Sequence, residues 1–156
     1  MAEGRVGLGF DVHAPDGSRP LRLGGVLFEH EGGLAGHSDG DVVCHAVADA
    51  LLGAAALGDI GQHFPDTDPS VAGIGGLELL ARTIALLGEA GFSPGSCDLT
   101  IICEGPSIAP RRDELRTAIA EALGIGIDRV SVKATRPEGL GLSGDGIGCL
   151  AVATLA

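Results

Sequence analysis

The chain has 156 residues, a formal net charge of −11, 45% hydrophobic residues and 3% aromatic residues. This length suits one domain with its own hydrophobic core. The acidic charge and the scarcity of aromatic side chains argue against a nucleic-acid partner, because phosphates need a basic surface and bases need stacking partners. An anionic small molecule remains compatible with the chain where metal ions held by carboxylates neutralise it.

The cysteines and the apolar segments bear on the cellular compartment. The cysteines are widely spaced without a C-x-x-C pair, so we expect reduced, mostly buried thiols; they are Cys44, Cys97, Cys103 and Cys149. No apolar run reaches the roughly 18 residues that a membrane span requires. Residues 1–10 lack the pattern of a secretory signal. We therefore expect a cytoplasmic protein that does not contact a membrane.

Hydrophobic periodicity and turn residues predict strands that alternate with helices in the second half of the chain. Strands are predicted over residues 5–10, 21–28, 98–103, 129–134 and 147–155. Helices are predicted over residues 41–57, 76–90 and 110–123, each followed by a glycine. Because no internal repeat or linker divides the chain, the sequence predicts a single compact α+β domain over residues 1–156, with helices packed on a mixed sheet.

The first predicted strand ends in side chains that suit a metal ion. Asp11 and His13 point to the same side because side chains alternate along a strand. Asp41, His45 and Asp49 follow at intervals of four and share one helix face. Asp11, His13 and His45 would make a three-ligand site with an open fourth position, which is the layout of a catalytic metal. A carboxylate one turn from His45 would orient its second ring nitrogen. A solvated helix face is the alternative.

The residues on either side of this helix suit a phosphorylated ligand. His37 and Ser38 precede its start, where free N–H groups and the helix dipole favour an anion. A simple N-cap by Ser38 or Asp39 explains them equally well. The following loop is rich in oxygen acceptors for the hydroxyls of a polyol, although the same residue types form ordinary turns. Its residues are Asp59, Ile60, Gly61, Phe64, Pro65, Asp66, Thr67 and Asp68.

A late segment combines a hydroxyl, a cation and a carboxylate. Thr135 and Arg136 leave a predicted strand and lead into a glycine-rich loop over residues 139–144. They are suitable donors to a phosphate, and Glu138 suits a hard cation such as magnesium. A plain connection between two strands explains the same residues, so both interpretations stay open.

Together these segments resemble the 2-C-methyl-D-erythritol 2,4-cyclodiphosphate synthase family of the non-mevalonate isoprenoid pathway. The resemblance covers essentially the whole chain, from residues 7–13 through Gly24-Gly25-Val26 to residues 139–142. Its most specific part lies between His37 and Asp68 and includes an ungapped stretch over residues 49–61. A match of this length is far more specific than a lone glycine motif.

The resemblance implies an assembly, a reaction and two kinds of metal ion. It implies a homotrimer of α+β subunits with active sites between neighbours. The 2-phosphate of 4-diphosphocytidyl-2-C-methyl-D-erythritol 2-phosphate would attack its own β-phosphate, giving 2-C-methyl-D-erythritol 2,4-cyclodiphosphate and CMP. Zn²⁺ would be held by Asp11, His13 and His45, with the β-phosphate in the fourth position. Mg²⁺ or Mn²⁺ at Glu138 would bridge the diphosphate.

The resemblance also implies roles for individual residues. His37 and Ser38 would contact the 2-phosphate, Asp59 and the loop over 64–68 the methylerythritol, and the segments around Cys103 and Thr135 the cytidine. The implied catalytic residues are His37 and Arg136. The implied substrate-binding residues are Asp11, Val12, His13, His37, Ser38, Asp59, Ile60, Gly61, Phe64, Pro65, Asp66, Thr67, Asp68, Cys103, Pro106, Ala109, Ala134, Thr135, Glu138 and Leu142.

The chain departs from the family pattern at three places. Ser107 stands where many members carry a lysine, so one cation near the nucleotide phosphate is missing. Arg136 stands where the family has a threonine that stabilises the transition state, and we expect its guanidinium to replace the lost charge. The segment after Gly144 is shorter and lacks an arginine associated with anion binding in the trimer channel. An isoprenoid diphosphate in that channel is therefore not implied.

Two other functions stay open from the sequence. A catalytically impaired relative kept as a binding partner of a pathway enzyme is favoured by Ser107 and Arg136, whereas the intact metal-ligand residues argue against it. An unrelated zinc hydrolase would attack a diphosphate with a zinc-bound water. The products distinguish the three functions. A synthase gives a cyclic diphosphate, an impaired relative gives no product, and a hydrolase gives two linear phosphates.

Overall fold

A computed structural model describes residues 4–141 and 144–156. In chain order the strands are β1 (Val6–His13), β2 (Pro15–Asp16), β3 (Leu21–Leu23), β4 (Val26–Phe28), β5 (Gly33–Leu34), β6 (Pro94–Ile102), β7 (Val130–Thr135) and β8 (Ile147–Leu155). The helices are α1 (Val42–Ala54), α2 (Ile60–His63), α3 (Gly76–Glu89) and α4 (Arg112–Leu123). Short 3₁₀ turns lie at Pro69–Val71, Ala109–Arg111 and Ile127–Arg129.

The main sheet has four strands in the order β1-β8-β6-β7. Strand β8 is antiparallel to both β1 and β6, whereas β6 and β7 are parallel. The predicted α+β fold with a mixed sheet is confirmed. Since His13 pairs with Ile147 and Ile102 pairs with Gly148, the carboxyl ends of β1 and β6 lie at the same end of the sheet.

Helix α1 packs on the inner face of the sheet at very short range. A Cβ atom built on Gly7 or Gly9 would lie 1.9 Å from the carbonyl oxygen of Ala50 or Ala46, so only glycine permits this approach. Helix α3 packs on the other side of α1, which is therefore buried on nearly every side. The inner face of β1 continues from Gly7 and Gly9 to Asp11, so the metal-binding side chains of this strand point towards α1.

The outer face of β1 and β8 is apolar and exposed in the part of the chain that the structure describes. The even-numbered residues of β1 point away from α1, and Leu8 is 64% exposed. Phe10 and Val12 are exposed beside it, as are Leu150 and Val152 on the adjacent β8. Contiguous exposed apolar surface of this kind is typical of interaction sites.

Several predicted elements have different boundaries in the structure. Strand β1 continues to His13 rather than ending at residue 10, and β6 begins at Pro94 rather than at residue 98. Residues 21–28, predicted as one strand, form the β3–β4 hairpin because Gly24 and Gly25 have φ angles of 61° and 77° and turn the chain. Both of their N–H groups donate to the buried carboxylate of Asp41, at 2.8 and 2.7 Å. Helix α1 ends at Ala54 rather than at residue 57, and α2, which was not predicted, follows it.

The cysteines are free and buried, as predicted. Burial raises the pKa of Cys97 to about 12, so this thiol stays protonated at neutral pH. Among residues 4–141 and 144–156, none of the helices has the length and apolar character needed to cross a bilayer.

Candidate metal centre and active site

Three side chains from β1 and α1 converge on one point. Oδ2 of Asp11 lies 2.8 Å from Nε2 of His13 and 3.1 Å from Nδ1 of His45. The two imidazole nitrogens are 3.3 Å apart. Tetrahedral zinc with bonds of 2.0–2.1 Å requires ligand atoms about 3.3 Å apart. This Asp-His-His set therefore fits a metal ion with three protein ligands.

The remaining nitrogen of each histidine has its own partner. Nδ1 of His13 donates to the carbonyl oxygen of Ala35, which leaves Nε2 facing the cluster. Nε2 of His45 lies 3.0 Å from Oγ of Ser38, and this oxygen also accepts from the N–H of Gly40. Partners of this kind fix the orientation of a metal-binding imidazole. The converging nitrogens are thus the ones available to a metal.

Neither Asp41 nor Asp49, the carboxylates predicted to orient His45, bonds to this histidine. Oδ1 of Asp49 accepts from the N–H of Ile60 at 2.8 Å, and Asp41 caps α1 by accepting from Cys44. Neither carboxylate contacts His45, because both are used to hold backbone N–H groups. The prediction that a carboxylate one helical turn away orients the second nitrogen of His45 is therefore wrong, because that nitrogen bonds to Ser38.

The cluster also shifts the proton affinities of its members. Burial by itself would raise the pKa of Asp11, but the hydrogen bonds from His13 and His45 outweigh it and lower the pKa. The hydrogen bond to Asp11 raises the pKa of His13, against the opposing effect of burial. A metal ion must therefore displace a proton that Asp11 helps to hold on His13.

A cavity of about 320 Å³ opens beside the cluster. It is lined by Asp11, His13, Gly36, His37, Ser38, His45, Ile60, Gly61, Phe64, Asp66, Val71, Ile74 and Leu79. The structure thus brings together most of the residues predicted to bind a phosphate and a polyol next to the metal ligands. The imidazole of His37 is exposed to this cavity, whereas the hydroxyl of Ser38 is already bonded to His45.

Some predicted substrate-binding residues do not line this cavity. Val12 is 44% exposed on the opposite face of the sheet, because side chains alternate along β1. The carboxylates of Asp59 and Asp68 cap α2 and the following 3₁₀ turn, accepting from Gln62 and Ser70. Pro65 and Thr67 are also outside the wall. Substrate contacts for these five residues stay predictions.

A second cavity of about 190 Å³ lies at the carboxyl ends of β6 and β7. It is lined by Cys103, Glu104, Pro106, Ser107, Ile108, Ala109, Arg112, Ala134, Thr135 and Arg136. The resemblance assigns residues 103–109, Ala134 and Thr135 to the cytidine, and all of them except Gly105 are present in this wall, together with Arg136. Arg112 was not predicted, since nothing in the sequence indicates that the first turn of α4 faces this space.

The two cavities of one chain are separate. They share no lining residue. Both lie at the same end of the sheet, but β1 and β7 are its opposite edges, roughly 14 Å apart at the usual strand spacing. One chain therefore presents the metal cluster and the second cavity at different edges.

The two remaining predicted residues lie after β7. Glu138 is exposed in the loop that follows this strand, and its φ of 54° is in the left-handed region that few residues other than glycine adopt. Glu138 lines neither cavity. Leu142 lies outside the described residues.

An Asp-His-His cluster open to a cavity on an α+β domain defines a candidate metal-dependent enzyme. The chain belongs to the YgbB family, whose model matches residues 4–156. A relative from Idiomarina loihiensis, named 2-C-methyl-D-erythritol 2,4-cyclodiphosphate synthase, is 54% identical over 150 residues, which are 95% of this chain and 94% of the relative.

Solved structures agree with this assignment. A 2C-methyl-D-erythritol-2,4-cyclodiphosphate synthase in a CDP-bound form superposes with a TM-score of 0.90 at 35% identity, covering 97% of this chain and 100% of the other. The bifunctional IspDF of Campylobacter jejuni has a TM-score of 0.91 at 39% identity over 98% of this chain. This chain spans only 42% of that bifunctional protein.

Proposed function

We propose that the chain converts 4-diphosphocytidyl-2-C-methyl-D-erythritol 2-phosphate to 2-C-methyl-D-erythritol 2,4-cyclodiphosphate and CMP in the non-mevalonate pathway. An oxygen of the 2-phosphate bonds to the β-phosphorus, and the bond from that phosphorus to the oxygen of the α-phosphate breaks. No water is consumed and no protein nucleophile is needed. The observation that carries this proposal is the Asp11-His13-His45 cluster opening into a cavity in a member of this family.

The residues of the first cavity and Glu138, which lies outside it, have distinct tasks in this proposal. Asp11, His13 and His45 hold Zn²⁺, and Glu138 holds Mg²⁺ or Mn²⁺. When bound, these ions withdraw charge from the phosphorus that is attacked. The exposed imidazole of His37 contacts the 2-phosphate. The walls at Ile60, Gly61, Phe64 and Asp66 hold the methylerythritol and thereby align the two phosphates, which supplies much of the rate in phosphoryl transfer.

The second cavity binds the cytidine monophosphate part of the substrate. Arg112 and Arg136 both line it, and neither guanidinium forms an ion pair within the described ranges of the chain. Two unpaired guanidiniums suit the α-phosphate, which accepts charge-assisted hydrogen bonds. They compensate for Ser107, which offers no positive charge in this wall.

The two cavities form one active site only across a subunit boundary. We propose a homotrimer in which the exposed apolar face of β1 and β8 is buried between copies. Each active site then combines the metal cluster of one subunit with the second cavity of its neighbour. We also propose that the protein acts in the cytoplasm, as expected from the sequence.

Phosphorus NMR of the zinc-loaded protein with magnesium and the cytidine-diphospho substrate tests the reaction. We expect CMP and a cyclic diphosphate in equal amounts. Two linear phosphates would instead identify a hydrolase. Unchanged substrate, with the metals shown to be bound, would identify a binding protein.

Mixing two inactive variants tests the shared active site. Asp11→Asn removes a metal ligand, and Ala109→Trp fills the second cavity from an exposed position. We expect each variant alone to be inactive, and a co-expressed mixture to regain activity at about one quarter of its sites, because half of the metal clusters and half of the neighbouring cavities are intact. A mixture as inactive as its parents would contradict the shared site.

A further inference from the structure

One short segment orients both histidines of the metal cluster. The segment, residues 34–40, is called the orienting loop below. Its Ala35 carbonyl oxygen accepts from Nδ1 of His13, and its Ser38 hydroxyl bonds to Nε2 of His45. The position of this loop therefore sets the direction in which each imidazole presents its other nitrogen.

The side chain of Arg19 holds the backbone of the orienting loop. Its Nη1 donates to the carbonyl oxygens of Leu34 and Gly36, each at 3.0 Å, and its Nη2 donates to the carbonyl oxygen of Ser38. These three carbonyls belong to alternate residues. The Ala35 carbonyl between the first two points to His13 instead. A planar guanidinium with several fixed donors suits this arrangement.

The other attachments of the loop do not replace Arg19. The N–H of Ala35 donates to the carbonyl of Ala14, and β5 pairs with β2 at the beginning of the loop. Near the end of the loop, the N–H of Asp39 donates to the carbonyl of Ile74. The carbonyl of His37 accepts from the N–H of Gly73, and Oδ2 of Asp39 accepts from the N–H of Gly76. Among the protein contacts of the carbonyls of Gly36 and Ser38, only those from Arg19 are found in the described part of the chain. Arg19 is half-buried and forms no ion pair there.

We propose that Arg19 is a positioning residue of the metal centre. Arg19 does not itself line the cavity and makes no hydrogen bond to the metal ligands, and it acts through the carbonyls of the orienting loop, of which Gly36 and Ser38 belong to the cavity wall. This inference rests on the proposed role of Asp11, His13 and His45 as metal ligands. Without Arg19 the loop loses three hydrogen bonds, the two imidazoles lose their fixed direction, and the metal is held less tightly.

The test is a titration of the metal-free protein with Co²⁺ alone, followed by visible absorption. Arg19→Ala should weaken Co²⁺ binding roughly tenfold, at the lower end of the 10- to 100-fold range for partners of metal ligands. It should also change the Co²⁺ absorption spectrum. Arg19→Lys keeps the positive charge but lacks the planar set of donors of the guanidinium. It provides a second variant if Arg19→Ala does not fold. Its affinity should fall between those of Arg19→Ala and the unsubstituted protein.

Arg22→Ala is the matched control, since Arg22 is an exposed arginine on the adjacent β3 with a single 3.5 Å contact to the carbonyl of Gly25. It should leave affinity and spectrum unchanged. Combining Arg19→Ala with Ser38→Ala should weaken binding by less than the product of the separate effects, because both act through one loop.

The outcomes separate this inference from the proposed function. If the unsubstituted protein binds no Co²⁺, the metal site and this inference both fail. If it binds Co²⁺ and the Arg19 variants bind it with the same affinity and spectrum, only the role of Arg19 is refuted. A lower melting temperature of the metal-free Arg19 variants, with Co²⁺ binding unchanged, would show a purely structural role.

Discussion

Ser38 and Asp49 both lie close to His45 in the sequence but contact different parts of the site. Ser38→Ala removes the hydroxyl at Nε2 of His45, so we expect metal affinity to fall about 10- to 100-fold. Asp49→Ala removes the acceptor of the Ile60 N–H at the start of α2, so it should raise KM and leave metal affinity unchanged. Titration against a chromophoric chelator and steady-state kinetics measure the two effects. Weaker metal binding by Asp49→Ala would contradict this division.

Arg136 is one of the positions at which this chain departs from the family pattern. Because its guanidinium has no ion pair in the described part of the chain and lines the second cavity, we expect Arg136→Ala to raise KM about tenfold. The matched control is Arg82→Ala on α3, where the arginine pairs with Glu78. Equal KM values for the Arg136 and Arg82 variants would show that Arg136 does not bind the nucleotide phosphate.

The Asp11–His13 pair makes the stability of the metal-free protein depend on pH. The pKa of His13 is raised above 6.5, so its contribution is complete below pH 6.5 and is lost as the pH rises through the folded-state pKa. The pKa of Asp11 is lowered below 3.8, so its contribution is lost only when the pH falls through that lower value. Thermal unfolding in a chelator should therefore show a decrease in Tm as the pH rises above 6.5. Asp11→Asn should flatten this decrease, and an unchanged slope in that variant would contradict it.

Between strand and helix, the contact of β1 with α1 sets the distance between the metal ligands. Gly9→Ala would place a methyl group against the Ala46 carbonyl, so we expect a loss of about 1–3 kcal/mol in the free energy of unfolding, with weaker metal binding. Gly88→Ala on α3 is the control, since nothing lies within 4 Å of the added methyl group. It should stabilise the protein by about 0.5–1 kcal/mol. Urea unfolding measures both, and equal stabilities would contradict the close contact.

The same contact explains what the sequence reveals about β1. Its Asp11–His13 pair follows from alternation, and the structure confirms it, although the strand continues to His13 rather than ending at residue 10 as predicted. Its orientation does not follow from hydrophobicity, because Val6, Leu8 and Phe10 are exposed while glycines face the core. Predictions from hydrophobic patterning assume that side chains fill the space between a sheet and the helix packed on it. Here the backbone of α1 lies directly against the glycines of β1.

Spacing along the sequence predicts the metal ligands better than it predicts the residues that orient them. Asp11, His13 and His45 follow from strand and helix periods, which place each side chain relative to its neighbours. Ser38 and Arg19 act through a loop that folds back on the cluster, and no period describes such a path. The hairpin at Gly24-Gly25 was missed for a similar reason, since its partner Asp41 lies 16 or 17 residues away.

At the scale of the whole molecule, the apolar outer face of the sheet determines assembly in our proposal. Leu8→Glu should give monomers and abolish activity, because the metal cluster and the second cavity no longer meet. Leu27→Glu is the control, since Leu27 is also exposed, at 49%, but lies on β4 away from that face. Sedimentation velocity measures the assembly. A trimer that persists in Leu8→Glu would place the interface elsewhere.

The glycines of β1 also have a consequence for the choice of ion. Ligand atoms 2.8–3.3 Å apart suit ions with bonds near 2 Å. Calcium, with bonds near 2.4 Å, would need separations of about 3.9 Å in the same geometry. Such an expansion requires α1 to move away from β1 and to open the core beneath it. Through this packing, Gly7 and Gly9 should make the cluster bind ions with bonds near 2 Å more tightly than calcium.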